Sequence, residues 1–157
     1  MKYRTKLLDT TELILQHKDD LDVLDYHCFP EDALYDKIKG EKYGKRGSHV
    51  WWLTYEVKTK RPVAFAGLKI YSSSTNAYFC RAGVRDKYRG EGLHKKLLQK
   101  RLKWCEENGI YYAYSYTSYD NYASVNNLVK YGFKLGEPWF ETDIPKELIF
   151  TYKKIDG

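Results

Sequence analysis

Val84-Arg85-Asp86-Lys87-Tyr88-Arg89-Gly90-Glu91-Gly92-Leu93-His94-Lys95-Lys96-Leu97-Leu98 reads as a strand that passes through a glycine-containing loop straight into a helix. Gly90 and Gly92 let backbone N–H groups turn toward one point, and the helix N-terminus adds positive potential there. Arg89 with Lys95 or Lys96 brings full charges to the same place, so the stretch is a candidate anion cradle of diphosphate size. A lone G-x-G is also what a tight strand-to-helix turn requires. A nucleotide P-loop would need Gly-Lys-Ser/Thr opening the helix, and a dinucleotide fingerprint would need a third Gly where Lys95 stands. Neither is present.

Outward from this stretch the periods are clear. Leu93, Leu97, Leu98, Leu102 and Cys105 lie near one face of a helix that stops at Asn108-Gly109. Ile110 to Thr117 is strand-like, and Asn121 to Tyr131 reads as a short helix with Val125, Leu128 and Val129 inward and Gly132 as left-handed cap. Strands are expected at about Phe133 to Thr142 and Glu147 to Lys154. Upstream, Val50 to Val57, Pro62 to Tyr71 and about Asn76 to Val84 form three strands of an antiparallel meander, the first two joined through Lys58-Thr59-Lys60-Arg61. Ile14, Leu21, Leu24 and Cys28 recur at helical spacing, a short helix is expected around Asp32 to Ile38, and Gly40 to Gly47 reads as a loop. The first third is therefore expected to be mainly helical, and the whole an α+β fold around one mixed sheet.

The chain has 157 residues, enough for one domain with a real core, and residues 1–157 are read as such. Its 43% hydrophobic and 31% charged content fits a soluble globular protein, and no run approaches the roughly 18 to 20 apolar residues of a membrane span. The N-terminus lacks the apolar core of a secretory signal, which points to the cytoplasm. Cys28, Cys80 and Cys105 have neither disulfide-framework nor metal-ligand spacing, so free thiols and no metal are expected. The net charge of +6 is polarised. Lys95, Lys96, Lys100, Arg101 and Lys103 crowd one helix, whereas Asp19 to Asp36 holds seven acids and no Lys or Arg.

The Arg89-Gly90-Glu91-Gly92-Leu93-His94 loop resembles the R/Q-x-x-G-x-G/A diphosphate loop of the GNAT superfamily of acetyl-CoA-dependent N-acetyltransferases, with His94 at the final Gly/Ala position. Asn121-Tyr122-Ala123-Ser124-Val125-Asn126-Asn127-Leu128-Val129-Lys130-Tyr131-Gly132-Phe133 resembles that family's second signature, at the expected distance from the first. The resemblance covers roughly Pro62 to Phe133 and looks closest to small phage and prophage members. It implies a mostly antiparallel, six- to seven-stranded mixed sheet with helices on both faces. The co-substrate it implies is acetyl-CoA (coenzyme A). Carried over by position, Val84 and Arg85 would offer backbone to the pantetheine arm, and Arg89, Gly90, Glu91, Gly92, Leu93, His94 and Lys95 would hold the diphosphate. Asn121, Ser124 and Asn127 would line the rest of the groove, with helix capping as the alternative for Asn121 and Ser124 and both roles compatible.

Acyl transfer from a thioester to an amine requires positioning, an oxyanion donor and the handling of two protons. The resemblance assigns the oxyanion donor to the Val84 backbone N–H. It often places a Tyr at the position held here by Leu128, leaving Tyr131, Tyr119 or Tyr116 as substitutes for the general acid, of which Tyr131 is carried forward. His27, His49 and His94 read as structural or surface residues, and Cys80 lacks a recognisable base for an acyl-cysteine relay. The acidic Asp19 to Asp36 run favours a cationic acceptor: a small-molecule amine, or a protein lysine or N-terminus. Two other classes stay open. One is a coenzyme A-binding regulator without turnover; the other is a nucleic-acid-binding or nucleobase-modifying protein, for which the basic helix and many aromatics would serve but no reader motif is present.

Overall fold

Residues 1–29, 49–70, 75–117, 121–140 and 148–155 are described by the computed structural model. Strands β2 (His49–Glu56), β3 (Pro62–Ile70) and β4 (Asn76–Val84) form the expected antiparallel meander. β2 is apolar on both sides because both of its faces are covered. Val50 and Trp52 enter one core cluster, Trp51 and Leu53 the other. Helix α3 (Leu93–Glu107) follows β4, then β5 (Tyr112–Thr117), helix α4 (Tyr122–Lys130), and strands β6 (Lys134–Leu135) and β7 (Ile149–Lys154).

Helices α1 (Thr11–Gln16) and α2 (Lys18–Cys28) lay Ile14, Leu21 and Leu24 against Trp51, Leu53 and Phe65. On the opposite face α3 supplies Leu93, Leu97, Leu98 and Cys105, and α4 supplies Leu128, to a cluster with Trp52, Ala66, Leu68 and Phe79. Among the described residues seven strands, the first being β1 (Tyr3–Leu8), make one sheet in the order β1-β2-β3-β4-β5-β7-β6. All neighbours are antiparallel except β4 and β5, which run parallel. The architecture is the expected mixed α+β sheet with helices on both faces. No helix among the described residues is long and apolar enough to cross a membrane.

Several boundaries differ from the sequence reading. The chain begins with a strand, β1 (Tyr3–Leu8), pairing antiparallel with β2 through Tyr3↔Glu56 to Leu8↔Trp51. Its alternation is obscured because Arg4 stands exposed between the half-buried Tyr3 and Thr5, and Lys6 and Leu7 are exposed before the buried Leu8. The single N-terminal helical run is two helices broken at His17. Among the described residues the strand expected at Phe133 to Thr142 is only Lys134–Leu135, and the 110–117 strand starts at Tyr112. Val129 is exposed rather than inward. The expected 32–38 helix and 40–47 loop lie outside the described residues.

Helices α3 and α4 stop in the same way. Gly109 and Gly132 have φ of 71° and 94°. The Ile110 and Phe133 N–H groups reach back to the Cys105 and Leu128 carbonyls at 3.1 and 3.0 Å. In each case the apolar residue after the glycine is buried in the core, so the Gly132-Phe133 pair of the second motif serves chain reversal.

Trp51 is packed in a flat stack between His49 and Phe65, with ring planes within 12° and 6°. The indole lies against the backbone of Gly67, where an added Cβ would come within 2.6 Å of the ring. Gly67→Ala is therefore expected to destabilise the protein by about 1–3 kcal/mol, read as a lowered denaturation midpoint without a changed slope. Burial, reinforced by Lys69, lowers the His49 imidazole to about 4, so it is neutral in the fold and would take up a proton on unfolding below about 6.5. Its contribution is complete above that pH and is lost as pH falls toward about 4, of order 3 kcal/mol. Stability curves of His49→Phe should be flatter than wild type across this window.

Candidate functional site

The parallel pairing of β4 with β5 spans only Asn76↔Tyr112, Ala77↔Ala113 and Tyr78↔Tyr114. One further tie follows, from the Ser115 hydroxyl to the Phe79 carbonyl at 3.1 Å. Beyond it β4 continues to Val84 and β5 to Thr117 with no ladder between them, leaving a wedge-shaped gap at their carboxyl ends. Parallel strands present ligand sites at that end because the following helices start there. Here α3 starts on the β4 side and α4 on the β5 side.

A register shift between Ala66 and Leu68 of β3 explains why β4 leaves. Ala66 faces Ala82 and Leu68 faces Phe79, so Cys80 and Arg81 together oppose Gly67. The extra residue puts two successive side chains on the α2 side: Cys80 joins the Trp51 cluster, and Arg81 lies over Phe29 and beside Asp25. Phe79 and Ala82 face the other cluster. Such a bulge bends its strand and increases the local twist, which carries β4 away from β5.

Val84 ends β4 paired with Ala64, and the next amide, Arg85 N–H, donates to the Val63 carbonyl at 2.9 Å. Backbone polar groups alternate sides along a strand, so the Val84 N–H and C=O point away from β3 toward the gap. The Val84 carbonyl accepts from Arg89 Nε at 3.2 Å, and an Arg89 terminal nitrogen lies 3.1 Å from the Asp86 carboxylate. Gly90 and Gly92 have φ of 82° and 79°, a region that favours glycine, and an added Cβ at either would meet nothing within 4 Å. The space into which a side chain at either position would project is therefore open.

Gly92 is the N-cap of α3 and offers no side chain to it, and the first turn carries no acid. The first helical amide bond runs from Lys96 to the Gly92 carbonyl, which leaves the Leu93, His94 and Lys95 N–H groups without a helical acceptor. The side chain of Leu93 is buried in the core, so it can serve an anion only through its backbone. Lys95 is exposed, and His94 is half-buried with its imidazole lowered by burial and then by Arg101.

Glu91, a carboxylate inside an anion loop, would oppose binding if it faced the ligand. It is bound instead by the Lys2 ammonium at 2.6 Å and by the Tyr3 hydroxyl, which hold its carboxyl below the usual range. Tyr3 also packs edge-on against Tyr88, whose hydroxyl donates to Glu56. Strand β1 thus anchors the loop, a role that sequence reading missed with the strand itself.

On the β5 side, Asn121 caps α4: its Oδ1 accepts the Ser124 N–H at 3.3 Å, the capping arrangement foreseen as the alternative for these residues. Asn127 is half-buried on the same helix. Leu128 is buried, and Tyr131, at the C-cap, packs against the same core cluster. Burial pushes the Cys80 thiol up to about 11, which removes it as a nucleophile at neutral pH. No three His, Cys, Asp or Glu side chains among the described residues cluster as a metal site. Three of the four acids of α2 are engaged: Asp20 accepts from the Tyr55 hydroxyl, Asp22 pairs with Lys18 and Asp25 faces Arg81.

Residues 15–133 match the model of the acetyltransferase (GNAT) family. No curated protein matches the chain in sequence. A ribosomal-protein alanine N-acetyltransferase of Escherichia coli superposes with a TM-score of 0.75 at 17% identity, over 99% of this chain and 95% of the other. The PaiA N-acetyltransferase of Thermoplasma acidophilum, solved in complex with coenzyme A, gives 0.68 at 16% identity over 96% and 99%. The E. coli GNAT family N-acetyltransferase YhbS, also with CoA, gives 0.71 at 15% identity over 99% and 83%. Identities this low establish a shared fold.

The positive φ at Gly92 predicts that Gly92→Ala loses about 1 kcal/mol of stability through backbone strain alone, since no atom stands in the way of the methyl group. A melting curve checks this, and an unchanged midpoint would contradict the left-handed geometry.

Proposed function

The chain belongs to the acetyltransferase (GNAT) family, and from that premise we propose that it transfers an acetyl group from acetyl-CoA to a primary amine by direct attack. The observation that carries this reading is the open glycine loop at an uncapped helix N-terminus, placed at the mouth of the gap between two parallel strands. Backbone N–H groups from Gly90 to Lys95, with Arg89 and Lys95, would hold the diphosphate of coenzyme A. The Val84 and Arg85 backbone would meet the pantetheine arm, and Asn121, Ser124 and Asn127 would face it from α4. When bound, acetyl-CoA supplies the activated acyl group. The chain's own part is to align it, to offer the Val84 N–H to the carbonyl oxygen where negative charge develops, and to exclude water.

An alkylamine with a pKa near about 10 must lose a proton before it attacks, and among the described residues no carboxylate or imidazole is assigned that task. Tyr131 is proposed as the proton donor to the departing thiolate. The acceptor is proposed to be a small amine or a protein lysine or N-terminus. The charge argument for a cationic one is narrower in the folded chain, because Asp20, Asp22 and Asp25 are engaged within it. A second reading, a coenzyme A-binding regulator without turnover, is favoured by the buried Leu128 at the usual tyrosine position.

Acetyl-CoA at about a hundred times its Kd should stabilise the protein by about 2.7 kcal/mol, a rise in melting temperature of about 5–10 °C. Arg89→Glu and Lys95→Glu should abolish the rise, and a wild-type protein that melts at the same temperature with and without acetyl-CoA would overturn the assignment. Free-thiol release over a panel of amines separates the two readings: binding without release selects the regulator.

A further inference from the structure

Arg101 is the member of the basic helix that the anion loop does not explain. It projects from α3 into the core and is 3% exposed. One terminal nitrogen donates to the Gly67 carbonyl at 3.2 Å, and its guanidinium carbon sits 4.6 Å from the centre of the Phe79 ring. Nε is buried with no hydrogen-bond partner, and no carboxylate pairs with Arg101 among the described residues. A buried, incompletely partnered cation is an expensive way to fill a core, and apolar replacements of similar volume are often neutral or stabilising. Packing alone does not account for it.

Its two contacts coincide with the point where the sheet divides. Gly67 stands opposite the two bulged residues, Cys80 and Arg81. Phe79 is the last residue of β4 before the bulge, the acceptor of the final tie from β5 through Ser115, and a neighbour of the Phe133 ring at 5.8 Å. From the opposite face, Asp25 and Phe29 of the α2 end engage Arg81. The bulge is thus gripped from both sides, and Arg101 fixes its straight partner strand and the residue just before it at once.

We propose that Arg101 is a positioning residue: by clamping the Gly67 carbonyl and the Phe79 ring it sets where β4 parts from β5, and with it the width of the gap and the aim of the Val84 amide. The assignment rests on the reading of that gap as the seat of the pantetheine arm. It separates two parts of the site. The diphosphate cradle is built from 89–95 and its β1 anchor, whereas the gap depends on the bulge.

Calorimetry with Arg101→Met, using acetyl-CoA and 3′-phospho-ADP as a pantetheine-free probe, tests this separation. Arg101→Met should melt within about 3 °C of wild type or above it, bind 3′-phospho-ADP as wild type does, and bind acetyl-CoA about tenfold more weakly. Arg101→Lys, which keeps charge and donor but not the flat contact with Phe79, should fall between. Wild-type affinity for acetyl-CoA in folded Arg101→Met overturns the proposal, as does equal weakening of both ligands. If Arg101→Met does not fold, wild-type affinities in Arg101→Lys overturn it, and selective weakening for acetyl-CoA upholds it. A wild-type protein that binds neither ligand instead removes the diphosphate-loop reading on which the proposal stands.

Discussion

A parallel ladder three residues long is the constraint on which the site depends. β4 and β5 are paired from Asn76 to Tyr78 and from Tyr112 to Tyr114, then part. Unpaired strand edges in the middle of a sheet leave backbone N–H and C=O groups that need partners, so such a gap persists only where something enforces it and something can fill it. The bulge opposite Gly67 enforces it by bending β4. Two helices then begin at the open end, α3 without a side-chain cap and α4 with its Ser124 N–H taken by Asn121.

Charge around the loop is arranged so that most side chains answer to the protein before any ligand arrives. Arg89 is tied to the Val84 carbonyl and to Asp86, and Glu91 is turned onto Lys2 and Tyr3. What remains directed outward is mainly backbone: two left-handed glycines with open space above them and three helix-end amides. Fixed dipoles of this kind need no reorganisation when an anion binds, and they do not repel one another as clustered ammonium groups do. Asp20, Asp22 and Asp25 of α2 show the same habit, being engaged with Tyr55, Lys18 and Arg81.

Legibility followed the periodicity of packing. The meander, α3 and α4 were readable because their apolar residues are held against a core at regular spacing, and their ends were readable because Gly109 and Gly132 can take positive φ. β1 was not readable, since an edge strand with one packed face carries Arg4 and Lys6 between its inward residues. The 133–142 run was overread as strand: its aromatics, Trp139 and Phe140, pack on rings of β5 and β7 without joining the ladder.

The sequence by itself determined the glycine loop, the helix after it, the paired motif at 121–133 and so the family, because each of these depends on the properties of neighbouring residues: glycine's freedom at positive φ, the amides of a helix end, the reach of a cap. Only the tertiary structure decided that Glu91 is held by Lys2 and Tyr3, and that Arg101 lies on Phe79 beneath the branching strands. These are contacts between residues tens of positions apart in most cases. Register, bulge and crossover decide them, and no local pattern in the chain encodes the position at which two distant strands cease to pair.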